Sequence, residues 1–104
     1  MKIIPVVWTS EAFSDFETIF DFIFSQSQLS AASITKSILA RARQLEHFPE
    51  SGAEQKTLHK KKQSYRFLVE GNYKIIYSYR NDVVYINAVI DCRQDPYLSE
   101  EKLT

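Results

Sequence analysis

The clearest pattern along the chain is a run of apolar residues at positions 83–90, in which Asn87 is the one polar member. A strand with one solvent-exposed face alternates apolar and polar residues, so an almost continuous apolar run predicts a strand buried on both faces, inside a sheet. Polar and charged residues dominate the next seven positions, from Asp91 to Tyr97. This abrupt change predicts that functional side chains lie at the C-terminal end of the strand.

Three further segments complete the predicted sheet. Residues 2–8 are rich in β-branched side chains but contain Pro5, which removes a hydrogen-bond donor and favours an edge strand. Residues 65–70, 73–79 and 83–90 are separated by connections of two and three residues, short enough for hairpins. They are therefore predicted to form an antiparallel meander.

Alternation along the first two strands of the meander predicts which side chains face the helices. These are the apolar and aromatic ones: Tyr65, Phe67, Val69, Tyr73, Ile75, Tyr77 and Tyr79. Arg66 and Lys74 are then expected on the opposite, more open face of the sheet.

Two helices are predicted between the first strand and the meander. Thr9 or Ser10 can cap the first helix, which is predicted to end near residue 25. Its apolar residues recur at spacings of three and four: Phe13, Phe16, Ile19, Phe20, Ile23 and Phe24. Ser27 or Ser30 can cap the second helix. The inward stripe of the second helix is predicted as Ala31, Ile34, Ile38, Ala42, Leu45 and Phe48.

Pro49 and Gly52 are expected to end the second helix. The small residues Ala31, Ala32 and Ala42 predict a close approach to its neighbour. The fold class is therefore α+β: an N-terminal edge strand, an antiparallel helical hairpin and a three-stranded antiparallel meander, with both helices packed on one sheet face. Residues 1–104 are expected to form a single domain.

Composition excludes several kinds of site. The single cysteine, Cys92, cannot pair within the chain, and no segment resembles a secretion signal or approaches the roughly 20 apolar residues of a membrane span. We therefore expect a cytoplasmic protein without membrane contact. The two histidines lack the spacing of a metal site, and two glycines do not make a glycine-rich phosphate loop. No metal and no small-molecule cofactor are expected.

Charge is balanced over the whole chain but unevenly distributed. Residues 1–50 carry four cations and six carboxylates, whereas residues 56–93 carry eight cations and three carboxylates. The sheet half is thus the basic half, which raises the expectation of an anionic partner. Lys60, Lys61 and Lys62 are candidates for nucleic-acid binding, although a lysine run of this kind is also typical of a solvated loop.

Five short motifs, in order, resemble the RelE/ParE superfamily of bacterial toxins, the toxin half of type II toxin–antitoxin pairs. The resemblance spans about residues 6–97 and implies a helical hairpin on a small sheet, together with a cognate antitoxin that wraps and neutralises the toxin. The motifs are Val7-Trp8-Thr9, the helix end at residues 45–52, Tyr65-Arg66-Phe67-Leu68-Val69, Tyr73-Lys74-Ile75-Ile76-Tyr77, and Asp91-Cys92-Arg93-Gln94-Asp95-Pro96.

The superfamily has two branches with different targets. RelE-like toxins cleave messenger RNA on the ribosome, whereas ParE-like toxins inhibit DNA gyrase without catalysing a reaction themselves. The ending Arg93-Gln94-Asp95-Pro96 is more similar to the ParE branch, so gyrase is the favoured target. Whether the chain is an enzyme depends on the branch. A third hypothesis is a non-toxic interaction module that accepts a partner strand or helix.

For the RelE-like alternative, the resemblance implies a catalytic set of Arg66, Lys74, Arg93 and Tyr97. Cleavage by a 2′-hydroxyl group needs a proton acceptor and cations that hold the phosphate. Structural roles are also open: Arg66 can pair with Glu70 or Asp91 at the surface, and Arg93 can bind backbone carbonyls of the C-terminal segment.

Overall fold

The computed structural model describes residues 2–55 and 64–93. Tyr97 and Lys60 to Lys62 lie outside the described residues. The elements follow the predicted order, with a single turn of 3₁₀ helix at Gln44–Glu46 and a two-residue strand added before the meander. They are β1 (Val6–Trp8), α1 (Ser10–Phe24), α2 (Gln28–Arg43), β2 (Ala53–Glu54), β3 (Arg66–Glu70), β4 (Tyr73–Arg80) and β5 (Val83–Asp91).

The five strands form one mixed sheet in the order β1-β5-β4-β3-β2. β1 lies at one edge and pairs in parallel with β5, while the other neighbouring strands are antiparallel. β5 therefore has a strand on each side, and Val84, Ile86 and Ala88 are fully buried. The prediction of an internal strand at residues 83–90 is confirmed, as are the edge position of the first strand and the α+β class.

The register of the meander corrects one prediction. Residues paired across antiparallel strands share a face, and β3 pairs Arg66 with Tyr77 and Leu68 with Ile75. Ile75, Tyr77 and Leu68 belong to the buried cluster that also contains residues of both helices. β3 therefore turns Leu68, not Phe67, towards the helices. The predicted faces are right for β4 and wrong for β3.

A tight turn explains the reversed face of β3. Gly71 and Asn72 form a two-residue loop, with Gly71 at a φ of 59°, so Glu70 pairs directly with Tyr73. That pairing places residues 66, 68 and 70 on the same face as residues 73, 75 and 77. Tyr65, Phe67, Ile76, Ala88 and Ile90 form a second apolar cluster on the opposite face.

Both helices begin at a predicted cap. The Thr9 hydroxyl accepts the backbone N–H of Ala12 at 3.1 Å, and the Ser27 hydroxyl accepts that of Ser30 at 3.1 Å. Ala31 and Ala42 are buried, as expected for closely packed helices, but Ala32 is exposed. The predicted inward stripes are also too wide. Three phenylalanines assigned to them are largely exposed: Phe13, Phe24 and Phe48.

One helix side chain completes the hydrogen bonding of β5. β1 pairs with β5 only as far as Ile86. Further along β5, the Asp15 carboxylate of α1 accepts the backbone N–H of Val89 at 3.0 Å. Asp15 thereby takes the place of a backbone acceptor beyond the end of β1 and fixes α1 on the sheet.

Removing this carboxylate is expected to destabilise the fold. Asp15→Ala leaves the largely buried Val89 N–H without this acceptor and should lower the free energy of unfolding by about 1–3 kcal/mol. Asp15→Asn keeps one acceptor oxygen and should lose less. Urea denaturation measures both, with Glu17→Ala on the exposed side of the same helix as the control. A loss for Asp15→Ala no larger than that for Glu17→Ala would contradict the assigned role.

Candidate functional site

The two strand cations of the predicted site lie on opposite faces of the sheet. Arg66 pairs with Tyr77 and shares the helix-facing side, whereas Lys74 pairs with Val69 and Ile90 on the other side. The prediction that Arg66 stands with Lys74 on the open face is therefore wrong. Its cause is the two-residue turn, which sets the register of β3 against β4.

Arg66 holds the segment that follows the second helix. Its Nη1 donates to the backbone carbonyl of Gly52 at 2.8 Å and to that of Glu50 at 3.4 Å. Its Nη2 lies 3.8 Å from the Glu50 carboxylate. Among the described residues, its acidic partner is Glu50 rather than the predicted Glu70 or Asp91. The guanidinium group is thus already bound to the chain by several contacts.

The Tyr77 hydroxyl binds the same segment to the sheet. The Gly52 backbone N–H donates to the Tyr77 hydroxyl at 2.9 Å, and Tyr77 is fully buried. Burial raises the pKa of the Tyr77 hydroxyl, so it is a neutral phenol at physiological pH. We call Glu50, Gly52, Arg66 and Tyr77 the Gly52 clip. Sequence reasoning missed it, although a buried tyrosine needs a partner for its hydroxyl.

Lys74 belongs to a different environment on the opposite face. Its Nζ lies 4.3 Å from the centre of the Phe67 ring and 3.5 Å from the Gln55 side-chain oxygen. Arg80 shares this face, with its Cζ 4.4 Å from the centre of the Tyr85 ring. Each cation therefore rests on an aromatic ring, an arrangement that restricts the side chain without neutralising its charge.

Arg93 lies just after β5 and is bound by a neighbouring carboxylate. Its Nε and Nη2 donate to the two oxygens of Asp91 at 2.8 and 2.6 Å, and its backbone N–H also donates to Asp91 at 2.9 Å. A phosphate group would have to displace Asp91 to make the same paired contact. The described partners of Arg93 are the Asp91 carboxylate and the Tyr73 side chain. The C-terminal segment whose backbone carbonyls were considered as its partners lies outside the described residues.

This ion pair predicts a pH dependence of stability. Hydrogen bonds from Arg93 lower the pKa of Asp91 below its ordinary value of 3.8. A carboxyl with a lowered folded-state pKa stabilises the fold above its unfolded-state pKa and loses this contribution as pH falls through the folded-state pKa. The stability difference between the natural chain and Asp91→Asn should stay constant above about pH 5 and shrink below about pH 4.

Denaturation curves from pH 7 to pH 2.5 measure this difference. The effect should be small, because the Arg93 side chain is 60% exposed and the pair is screened by water and salt. Glu11→Gln, a change at an exposed carboxylate of α1, is the control. A stability difference that grows as the pH falls would contradict the assigned direction of the pKa shift.

The described cations do not converge on one point. Arg66 lies beside Tyr77 and Arg93 follows Asp91, which pairs with Tyr73, so these two are separated by about 13 Å along β4. Lys74 is on the other face. Within residues 2–55 and 64–93, no three side chains of His, Cys, Asp or Glu are placed to bind a metal ion. The described part of the chain also has no helix long and apolar enough to cross a membrane.

Comparison with known families agrees with the observed fold. No match to an individual curated protein was found. A family model described as the ParE toxin of the type II toxin–antitoxin system parDE matches residues 6–96, which include the described strands and both helices. Membership of this family implies a cognate antitoxin as a partner. The chain therefore belongs to the ParE toxin family of type II toxin–antitoxin systems.

Proposed function

We propose that this toxin arrests growth by binding and inhibiting DNA gyrase, and that it catalyses no reaction of its own. The observation that carries the proposal is the separation of Arg66 and Lys74 onto opposite faces of the sheet. RNA cleavage needs cations and a proton acceptor gathered around one phosphate. The described arrangement favours a toxin that acts through a contact surface.

The bound state of each cation supports the same proposal. Arg66 holds the backbone at Gly52, and Arg93 forms a paired contact with Asp91. Recruiting either one to a phosphate would break contacts that the fold already uses. The RelE-like alternative, a ribosome-dependent endoribonuclease that uses Arg66, Lys74, Arg93 and Tyr97, therefore requires a rearrangement of the described side chains.

Gyrase inhibition can be tested directly with purified components. The chain is expected to inhibit DNA supercoiling by gyrase, and an equimolar amount of its antitoxin should restore the reaction. Lys74→Ala and Arg93→Ala should inhibit as strongly as the natural chain, because neither side chain has a catalytic role in this proposal. Arg66→Ala is less informative, because it also loosens the Gly52 clip.

Messenger RNA and plasmid DNA from cells that express the chain provide the opposing test. The proposal predicts relaxed or cleaved plasmid DNA and messages without new ends inside codons. Clustered cuts within translated codons, abolished by Arg93→Ala and accompanied by unchanged gyrase activity, would contradict it. That result would identify a ribosome-dependent endoribonuclease.

A further inference from the structure

The two helices leave a groove open to solvent on the side away from the sheet. α1 packs on β1 and β5, and α2 packs on β3 and β4. On α1, the Asp15 side chain binds Val89 of β5 beyond the end of β1. On α2, the Arg41 side chain donates to the Val69 carbonyl of β3. These two flanks point away from each other, so the opposite flanks of the helices face the groove between them.

Large apolar side chains line both sides of this groove. Residues two positions apart point in nearly opposite directions from a helix, so Phe13 and Leu39 lie on the flanks opposite to these two sheet contacts. Their side chains are 55% and 44% exposed. Phe24 and Leu29, beside the turn that joins the helices, are 45% and 85% exposed. Exposed apolar groups gathered on one surface are typical of a contact site.

Charges of opposite sign lie on the two sides of the groove. α1 contains carboxylates but no lysine or arginine, whereas α2 contains lysine and arginine but no carboxylate. Glu17 and Lys36 each follow a fully buried alanine by five residues, about 140° around the helix, and both are exposed. Neither has an ion pair within residues 2–55 and 64–93. The name outer groove is used for six residues: Phe13, Glu17, Phe24, Leu29, Lys36 and Leu39.

Residues of like character lie at matching heights on the two sides of the outer groove. α1 ends at Phe24 and α2 begins at Gln28, and both helices advance about 1.5 Å per residue. Positions equally far from the turn therefore lie at the same height. Phe13 and Leu39 are each eleven residues from the turn end of their helix. Glu17 is seven residues from that end and Lys36 is eight, so the two charges lie within about one residue of the same height.

We propose that the outer groove is the contact between two copies of this chain, related by a two-fold axis parallel to the helices. Rotation about such an axis keeps the height of every residue and lays α1 of each copy on α2 of the other. Glu17 of each copy then meets Lys36 of the other. Apolar residues meet in the same way, because Phe13 and Leu39 share one height. The two helical hairpins form a four-helix layer between two sheets.

Complementarity within one chain favours a second copy over the antitoxin as the occupant of the outer groove. The acidic and the basic half of the contact are both present on this chain, at matching heights, with apolar side chains at corresponding positions. A two-fold contact requires such a match, since each half must fit the other half of an identical surface. Binding of a different protein requires no match between the two sides. The inference concerns self-association and does not depend on the target of the toxin.

Sedimentation of the purified full chain tests the apolar part of the contact. The natural chain should form dimers that dissociate on dilution. Phe13→Ser combined with Leu39→Ser should raise the dissociation constant at least tenfold, because it removes apolar groups from both halves of the contact. Phe22→Ser is the matched control and should leave the dissociation constant unchanged. Phe22 is 59% exposed but lies seven residues from Asp15, on the flank of α1 that faces away from the groove.

Charge reversal at Glu17 and Lys36 tests the pairing itself. Glu17→Lys places two lysines together at both ends of the pair, and Lys36→Glu places two carboxylates together, so each variant alone should dimerise at least tenfold more weakly. An equimolar mixture of the two variants should recover dimers. In the mixed dimer every lysine at position 17 or 36 meets a carboxylate of the other copy. Neither contacts within one chain nor binding of an antitoxin predicts this recovery.

A second mixture controls for the overall charge of the variants. Glu11→Lys and Lys2→Glu carry the same changes of net charge at exposed positions outside the outer groove. Each alone and the two together should dimerise like the natural chain. Circular dichroism and urea denaturation verify that every variant is folded.

Three results would overturn the inference. The first is a natural chain that stays monomeric at every concentration at which it is soluble. The second is a mixture of Glu17→Lys and Lys36→Glu chains that forms no more dimer than either variant alone. The third is a monomeric natural chain whose binding to the antitoxin is lost on combining Phe13→Ser with Leu39→Ser, which would assign the outer groove to the antitoxin.

Discussion

Gly52→Ala should be among the most destabilising single substitutions in the described part of the chain. A Cβ atom at this position would lie 2.6 Å from the Phe67 carbonyl oxygen, 2.7 Å from the Tyr77 hydroxyl and 2.8 Å from Tyr77 Cε1. The first of these atoms belongs to the backbone, and Tyr77 is fully buried, so neither neighbour can move easily. We expect the free energy of unfolding to fall by about 3–5 kcal/mol, from overpacking and from weakened hydrogen bonds in the Gly52 clip.

Gly71→Ala is the matched control for this substitution. Gly71 has a φ of 59°, but nothing lies within 4 Å of the position that its Cβ would occupy. Its replacement should therefore cost about 1–2 kcal/mol, from backbone strain alone. Urea denaturation measures both losses. Equal losses for the two variants would show that the close approach at Gly52 relaxes without cost.

Local chemistry was sufficient to predict much of the fold. The apolar run ending at Ile90 predicted a strand inside the sheet, where β5 lies, and Pro5 predicted a strand at the edge of the sheet, where β1 lies. The caps Thr9 and Ser27 were among the residues proposed to begin the two helices. Each of these features depends on neighbours a few residues away, and such neighbours are visible in a sequence.

Two local patterns competed in predicting which side chains of β3 face the helices. Phe67 and Leu68 are both apolar, so alternation alone could support either face. Loop length decides the outcome, because a two-residue turn pairs Glu70 with Tyr73 and carries Leu68 to the helices. Counting the turn before assigning the faces would have separated Arg66 from Lys74 at the start.

The Gly52 clip could not be predicted in the same way. Arg66 contacts Gly52 across 14 positions of sequence, and Tyr77 contacts it across 25. Only the completed sheet brings these groups together. From the sequence, Gly52 was predicted to end the second helix and Arg66 to lie on an open surface. Neither prediction included the tertiary contact between these two residues.

Ala31→Leu is expected to destabilise the packing of α1 against α2. Ala31 is 0% exposed and belongs to the main buried cluster with Ala12 and Ile23 of α1. A leucine at this position would add three carbon atoms to an interface that small side chains keep narrow. Overpacking of this kind should lower the free energy of unfolding by about 3 kcal/mol, the upper end of its usual range.

The neighbouring residue provides a matched control in the same helix. Ala32 is exposed, and Ala32→Leu should change stability by less than about 0.5 kcal/mol, because leucine is nearly as good a helix former as alanine and meets no buried neighbour. Comparing the two variants by urea denaturation removes the contribution of helix propensity. Similar losses would mean that α1 and α2 separate easily. A large loss for Ala31→Leu alone would show that the close approach of the helices is rigid, and that the side of α1 carrying Phe13 and Phe24 is held in a fixed position.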